Sequence, residues 1–319
     1  MLERPKRSVC KVTQVRRFLK RDRDERGVAS TVGTIMALLV FLTFLTLFTN
    51  SYIPIWMVDN ERTHMNSVMD QFGEMRGKVD VLSVTGETNH NMYQSIDLGA
   101  DGIPVFASAT AGLLTYQPYS VGNSSVHAIF NYTLVSGGKL YKYDQYSGGK
   151  MEFYAPTRYY VEQWVTYENG AILIRQTDGQ AMRAYPSLSL IKPTASSKIN
   201  MTFEQVDMVG VNSSAAGTGN AGVNIDLIYM DSQMYTNGNV TGDLTTKTPI
   251  VLIFKTLNGQ AWFNYLYQYL HAPGNNLINN TDYKLNPYSA STQTVKLVIY
   301  NVSFFTFSRA ITQFTVEAS

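Results

Sequence analysis

Cysteine is almost missing from this chain: one residue, Cys10, among 319. A lone thiol excludes a disulfide within the chain, so any fold here rests on its core, and a chain of this length can bury one. Histidine is scarce as well. His64, His90, His127 and His271 are scattered, with no HExxH pair and no second cysteine, which excludes the common zinc signatures. There is no GxSxG elbow and no P-loop GK[ST]. Asp97 and Asp101 in DLGADG lack the EF-hand spacing and read as a solvated turn. The expectation is a non-enzyme without cofactor or metal.

Charge is sparse at 16% and unevenly placed. Residues 1–27 carry ten Lys or Arg against four Asp or Glu, a net +6, which leaves −4 for the remainder of a +2 chain. The basic tail abuts the uncharged, proline-free run Val28–Thr49, so it reads as an inside-retention signal and not as a nucleic-acid contact. That run is long enough for a helix to cross a bilayer core of roughly 30 Å. Tyr52 and Trp56 follow at the expected headgroup level, and Asp59, Asn60, Glu61 and Arg62 mark the watery side. A cleaved secretory signal is the rival; it needs small residues near the end of the run, and no alanine occurs from Leu42 to Gly99. The expected location is the cell membrane, single-pass, with the N-terminus cytoplasmic and the C-terminal domain extracellular.

The helix is expected to continue as an extension over 54–82, kinked at Pro54. Met65, Val68, Phe72, Met75, Val79 and Leu82 recur at spacings of three and four, an apolar seam. From about Ser83 the period becomes two. Strands are predicted at Tyr93–Leu98, Val126–Leu134, Lys139–Tyr143, Trp164–Glu168, Ala171–Arg175, Ile199–Phe203, Val223–Tyr229, Ile250–Lys255 and Val295–Tyr300. The SGGK segments at Ser136 and Ser147 read as separating turns, and Gly210–Gly222 as a linker or long loop. One helix is predicted near Asn258–His271, stopped by Pro273-Gly274. The fold class is therefore mainly β: a basic leader (1–27), a transmembrane helix (28–53), a helical extension (54–82) and a large antiparallel β-sandwich-type extracellular domain with one inserted helix (83–319), one domain or two sub-domains.

The junction Arg26-Gly27-Val28 puts a glycine at the membrane face between a basic tail and an apolar helix. A peptidase needs an extended, approachable backbone, and glycine leaves it unobstructed. The segment RGVASTVGTIMALLV resembles the start of archaeal type IV pilins and pilin-like surface proteins, in which a basic leader ends in Arg/Lys-Gly. PIWMVDNERTHMNSVMDQF, IDLGADGIPVF, VTYENGAILI and KLVIYNVSFF extend the resemblance, in order, to a euryarchaeal pilin-like group without assigned activity. The resemblance implies cleavage of Gly27–Val28 by a prepilin-type peptidase, and other pilin-like subunits as partners. Val32 stands where bacterial-type pilins carry the glutamate that helps subunits register.

Ala29, Gly33 and Ala37 recur every four residues, which lets another helix approach closely in lipid. Thr43, Thr46 and Asn50 form a more polar stripe, read equally well as packing or as bonding to their own helix. Asn-x-Ser/Thr sequons occur at Asn123, Asn131, Asn200, Asn212, Asn239, Asn279 and Asn301. The functional expectation is a pilin-like structural or adhesive surface protein. The alternative is a monomeric anchored module that binds an extracellular glycan or protein and does not polymerise.

Overall fold

The structure is a computed structural model. It describes residues 12–88, 90–120, 124–133, 140–194, 197–237 and 249–318, with side chains described from residue 29 onward except at 133, 140, 236, 237 and 318. Helix α1 spans Val12–Thr85 and contains Pro54. The chain forms two compact units, 1–56 and 57–319. In the first, the helix is apolar along its length from residue 29. In the second, the rest of α1 joins a mainly β body of two curled sheets.

Strand β1 (Asn91–Asp97) is followed by β2 (Gly112–Pro118), β3 (Ser125–Thr133), β4 (Leu140–Ala155), β5 (Gln163–Glu168), β6 (Ala171–Gln176), β7 (Gly179–Ala184) and β8 (Leu188–Ile191). Then come β9 (Ile199–Val209), β10 (Ser213–Gly217), β11 (Asn220–Asn237), β12 (Ile250–Lys255), helix α2 (Gly259–Leu270), β13 (Tyr283–Ser289), β14 (Thr294–Ile299) and β15 (Val302–Ala318). One sheet runs β10-β2-β4-β5-β6-β7. The other joins β1-β11-β15-β9-β8 with the group β3-β12-β14-β13. Its β9 and β15 are parallel, which departs from the purely antiparallel expectation.

The two sheets share β4. Its first part, to Gly148, pairs with β3; from Gly149 it pairs with β2, and further on also with β5. The SGGK segment at Ser147 is therefore the corner of a continuous strand and not a turn between strands. The corner requires glycine. A Cβ on Gly148 would lie 2.3 Å from the Ser124 carbonyl oxygen, and Gly149 has φ +100. The first SGGK, at Ser136, lies outside the described residues. Gly210–Gly222 is neither linker nor long loop: it carries β10, which pairs with β2, and the start of β11.

Two cores form. In the first, the seam Met65, Val68, Phe72, Met75, Val79 and Leu82 is buried against residues including Phe153, Val165, Val223 and Phe314. Each such side chain stabilises the fold by roughly 1.5–3 kcal/mol. In the second, α2 buries Trp262, Tyr265, Leu266 and Leu270 and packs on β7, β12, β13 and β14, with Trp262 stacked on Phe254 at 4.3 Å. Tyr269 is half-buried, and its hydroxyl accepts from the Leu190 N–H at 2.8 Å.

Strand β1 has β11 on one edge and α1 along the other. Lys78 donates to the Tyr93 carbonyl at 2.7 Å, Gln71 exchanges bonds with Asp97 (2.7 and 2.9 Å), and His64 Nε2 lies 3.0 Å from the Asp97 carbonyl oxygen. Helix side chains thus satisfy backbone groups that an open sheet edge would expose.

Candidate functional sites

The Ala29–Thr85 part of α1 is long and apolar enough to cross a membrane; its most apolar stretch has a mean hydropathy of 2.3, and none of that stretch is buried. Ala29, Gly33 and Ala37 all lie exposed here, and a Cβ added to Gly33 would meet nothing within 4 Å. The threonine stripe bonds to its own helix: Thr43 donates to the Leu39 carbonyl, Thr46 to Leu42 (both 2.7 Å) and Thr49 to Leu45 (2.8 Å). Aromatic residues follow at helical spacing, with Phe48 5.7 Å from Tyr52 and 5.6 Å from Trp56. The bond between Gly27 and Val28 falls within the helical span, among residues whose side chains are not described.

Of the sequons, Asn200, Asn212 and Asn279 are exposed, Asn131 is half-buried on β3, and Asn301 is exposed at φ 56 while donating to the Thr281 carbonyl at 3.3 Å. Asn123 and Asn239 lie outside the described residues.

Among the buried carboxylates that escaped sequence reasoning, Glu61 and Glu168 gather the most donors. Glu61, read as solvated, is 0% exposed. Its oxygens accept from three consecutive backbone amides, Arg158 (3.0 Å), Tyr159 (2.9 Å) and Tyr160 (2.7 Å), and from the Thr110 hydroxyl at 3.1 Å. Successive amides converging on one anion form a backbone nest. The second, Glu168, closes β5 before an Asn169-Gly170 turn with positive φ at both residues, the geometry a two-residue hairpin needs. It accepts from the Trp262 indole (2.7 Å), the Ser124 hydroxyl (2.7 Å) and the Thr256 hydroxyl (2.8 and 2.9 Å). Burial pushes its carboxyl up, against the lowering effect of those bonds and of the Lys150 charge. Both carboxylates are committed to protein donors that hold elements together.

A concavity of about 490 Å³ lies at the C-terminal end of α1 and is lined by Ser83, Thr88, Glu204, Tyr229, Ser232 and Ser308 among others. Burial raises the Glu204 carboxyl, and the Ser232 and Ser308 hydroxyls bond at 2.8 Å. Asp97, read as part of a solvated turn, ends β1 with its side chain bonded to Gln71, and the Asp101 carbonyl accepts from Asn60. Among the described residues, no three His, Cys, Asp or Glu side chains are grouped to hold a metal. No known family profile matches the chain, and neither a curated protein nor a solved structure is significantly similar to it.

Proposed function

We propose that this chain is a pilin-like surface protein of the archaeal cell envelope, structural or adhesive, released from its basic leader by a prepilin-type peptidase. The observation that carries the reading is the division of one helix. Its N-terminal apolar stretch is bare, and its continuation is the packed spine of a β domain. A bare apolar helix needs lipid or sister helices around it. The leader opposes withdrawal from lipid, because each Lys or Arg costs roughly 2.5–3.5 kcal/mol at the bilayer centre. Its removal leaves one α-amino group, and the Ala29, Gly33, Ala37 face is then available to sister helices.

N-terminal sequencing of the mature protein from its host tests this. The expected start is Val28-Ala29-Ser30, and Gly27→Val blocks the cut by stiffening and crowding the backbone. A mature protein that keeps residues 1–27, or starts beyond Thr49, overturns the reading. Glycopeptide mass spectrometry is expected to find a sugar on at least one exposed sequon, among Asn200, Asn212, Asn279 and Asn301.

The cleft beside Glu204 favours a second reading, the monomeric anchored module binding a small polar extracellular ligand. Sheared cell-surface material separates the two. The pilin-like reading expects the chain in filaments, and the anchored module expects it in the detergent extract as a single chain.

A further inference from the structure

Val105 is the most conspicuous exposed side chain of the β domain. It is 101% exposed and sits at φ 72, a backbone conformation that glycine adopts freely and β-branched residues rarely do. It forms the tip of a narrow arm. Ala100 and Thr110 exchange backbone bonds at the base (both 3.0 Å), Ile103 and Ala107 exchange them higher up (both 2.9 Å), and Pro104, Val105 and Phe106 turn the corner. Phe106 is 44% exposed. A valine held in an unfavourable conformation, with its isopropyl group in the open, gains nothing from the protein's own core.

The arm has a defined place on α1. Successive contacts step down the helix as the chain advances: Gln94 meets Lys78, Asp97 meets Gln71 and His64, Asp101 meets Asn60. The base is fixed there as well, since Thr110 bonds to Glu61. The same carboxylate fixes a second turn through the amides of residues 158–160, and Tyr159 and Val161 of that turn are 41% and 47% exposed. Two apolar turns are therefore tied to residues 60–61 of the helix. These lie eleven or twelve residues beyond Thr49 in the sequence. Chain length alone keeps the attachment points within reach of the surface in which the apolar run would be seated.

We propose that the Pro104-Val105-Phe106 tip and the Tyr159–Val161 turn form a foot that enters the headgroup layer of the membrane holding the helix. Aliphatic and aromatic groups suit that layer. Exposed Arg62 and Arg158 are offset by exposed Asp59 and Asp101, so apolar contact drives the insertion and anionic lipid is not required. The inference rests on the anchored reading of the apolar helix, and it concerns the protein while it is in the membrane.

Single-cysteine labelling tests it on the full chain. Cys10→Ser clears the background. Val105→Cys, Val84→Cys and Phe44→Cys each receive an environment-sensitive fluorophore, and the protein is reconstituted in phosphatidylcholine vesicles with and without doxyl-labelled lipid. Val84 is 88% exposed and sits roughly 36 Å along the helix from Asn60, which makes it the control far from lipid. The expected result is at least about twofold quenching at position 105 by shallow doxyl groups, strong quenching at 44 by deep ones, and little at 84. Equal, weak quenching at 105 and 84 with strong quenching at 44 overturns the foot and leaves the anchor standing. Weak quenching at 44 overturns the anchor and the foot with it. Should Val105→Cys fail to fold, Val161→Cys carries the same reading.

Discussion

Both helices of the β domain are fastened by one fully buried carboxylate, but the donors differ in kind. On α1, Glu61 itself belongs to the helix, and three backbone amides of the 158–160 turn close on it. For α2 the carboxylate, Glu168, belongs to the β5–β6 hairpin, and the helix offers it the Trp262 indole. The remaining partners of Glu168 are hydroxyls, from Ser124 and Thr256. An amide N–H only donates, whereas a hydroxyl donates or accepts. Apart from the Thr110 hydroxyl, the nest around Glu61 therefore demands an acceptor at every point. The cage around Glu168 accepts an anion, a neutral acid or a carboxamide.

The largest expected effect follows from that rigidity. Glu61→Ala leaves three converging amides without an acceptor in a site closed to water. We expect a loss of about 3–5 kcal/mol. Glu61→Gln keeps the shape and still fails. Its single oxygen serves Tyr159 and Tyr160, while its NH2 faces the Arg158 N–H, at a cost of about 1–3 kcal/mol. Thermal unfolding of the full chain, followed by tryptophan fluorescence, measures both. A Glu61→Gln variant as stable as the wild type would break the distinction between the two sites.

How far the sequence betrayed these sites differs between them. The α1 seam was legible from Met65 onward because its three-four spacing is regular. Glu61 belongs to the same face, four residues after Met57 and four before Met65. Its place in the run Asp59-Asn60-Glu61-Arg62 concealed it, since composition there signals water and only spacing signals burial. Each predicted strand falls on a strand of the structure, with Ile250–Lys255 at the predicted bounds and only Leu134 and Lys139 outside the described residues. Missed strands had tertiary reasons. Strand β7, GQAMRA, has little intrinsic β preference and is held by pairing with β6. The Gly148-Gly149 corner carries turn composition within a strand because two sheets meet there. An Asn-Gly pair such as Asn169-Gly170 favours a tight hairpin, but nothing local announces that the glutamate before it meets a tryptophan 94 positions later.

Glu168→Ala probes the more adaptable site and is expected to cost less, about 1–3 kcal/mol. The indole N–H of Trp262 loses its acceptor, while the Ser124 and Thr256 hydroxyls can turn to other oxygens. Tryptophan emission should report the change directly, because Trp262 is 1% exposed and loses the carboxyl group to which its indole donates. A loss as large as that of Glu61→Ala would show that the hydroxyls are as constrained as the amides.

The smallest effect, and the one that separates the two sites most cleanly, is the pH dependence of Glu168→Gln. Burial raises the Glu168 carboxyl in the folded state above its ordinary value. The native state therefore holds this proton more tightly than the unfolded chain does. By linkage, the contribution of Glu168 to stability is fullest below the ordinary glutamate range. It declines as pH rises from that range through the folded-state value, then levels off. Glutamine mimics the neutral acid: its oxygen accepts from Trp262, and its NH2 donates to the hydroxyl oxygens of Ser124 and Thr256. Glu168→Gln is expected to match the wild type in acid and to become relatively more stable as pH rises. Asp80 and Glu204 are also raised by burial, but they are present in both proteins, so their slopes cancel to first order in the difference. Melting temperatures of the two proteins across mildly acidic to neutral pH measure that difference. A flat difference would show that the folded and unfolded states hold this proton equally. A difference of opposite sign would show that the hydroxyls and Lys150 favour the anion strongly enough to outweigh its burial.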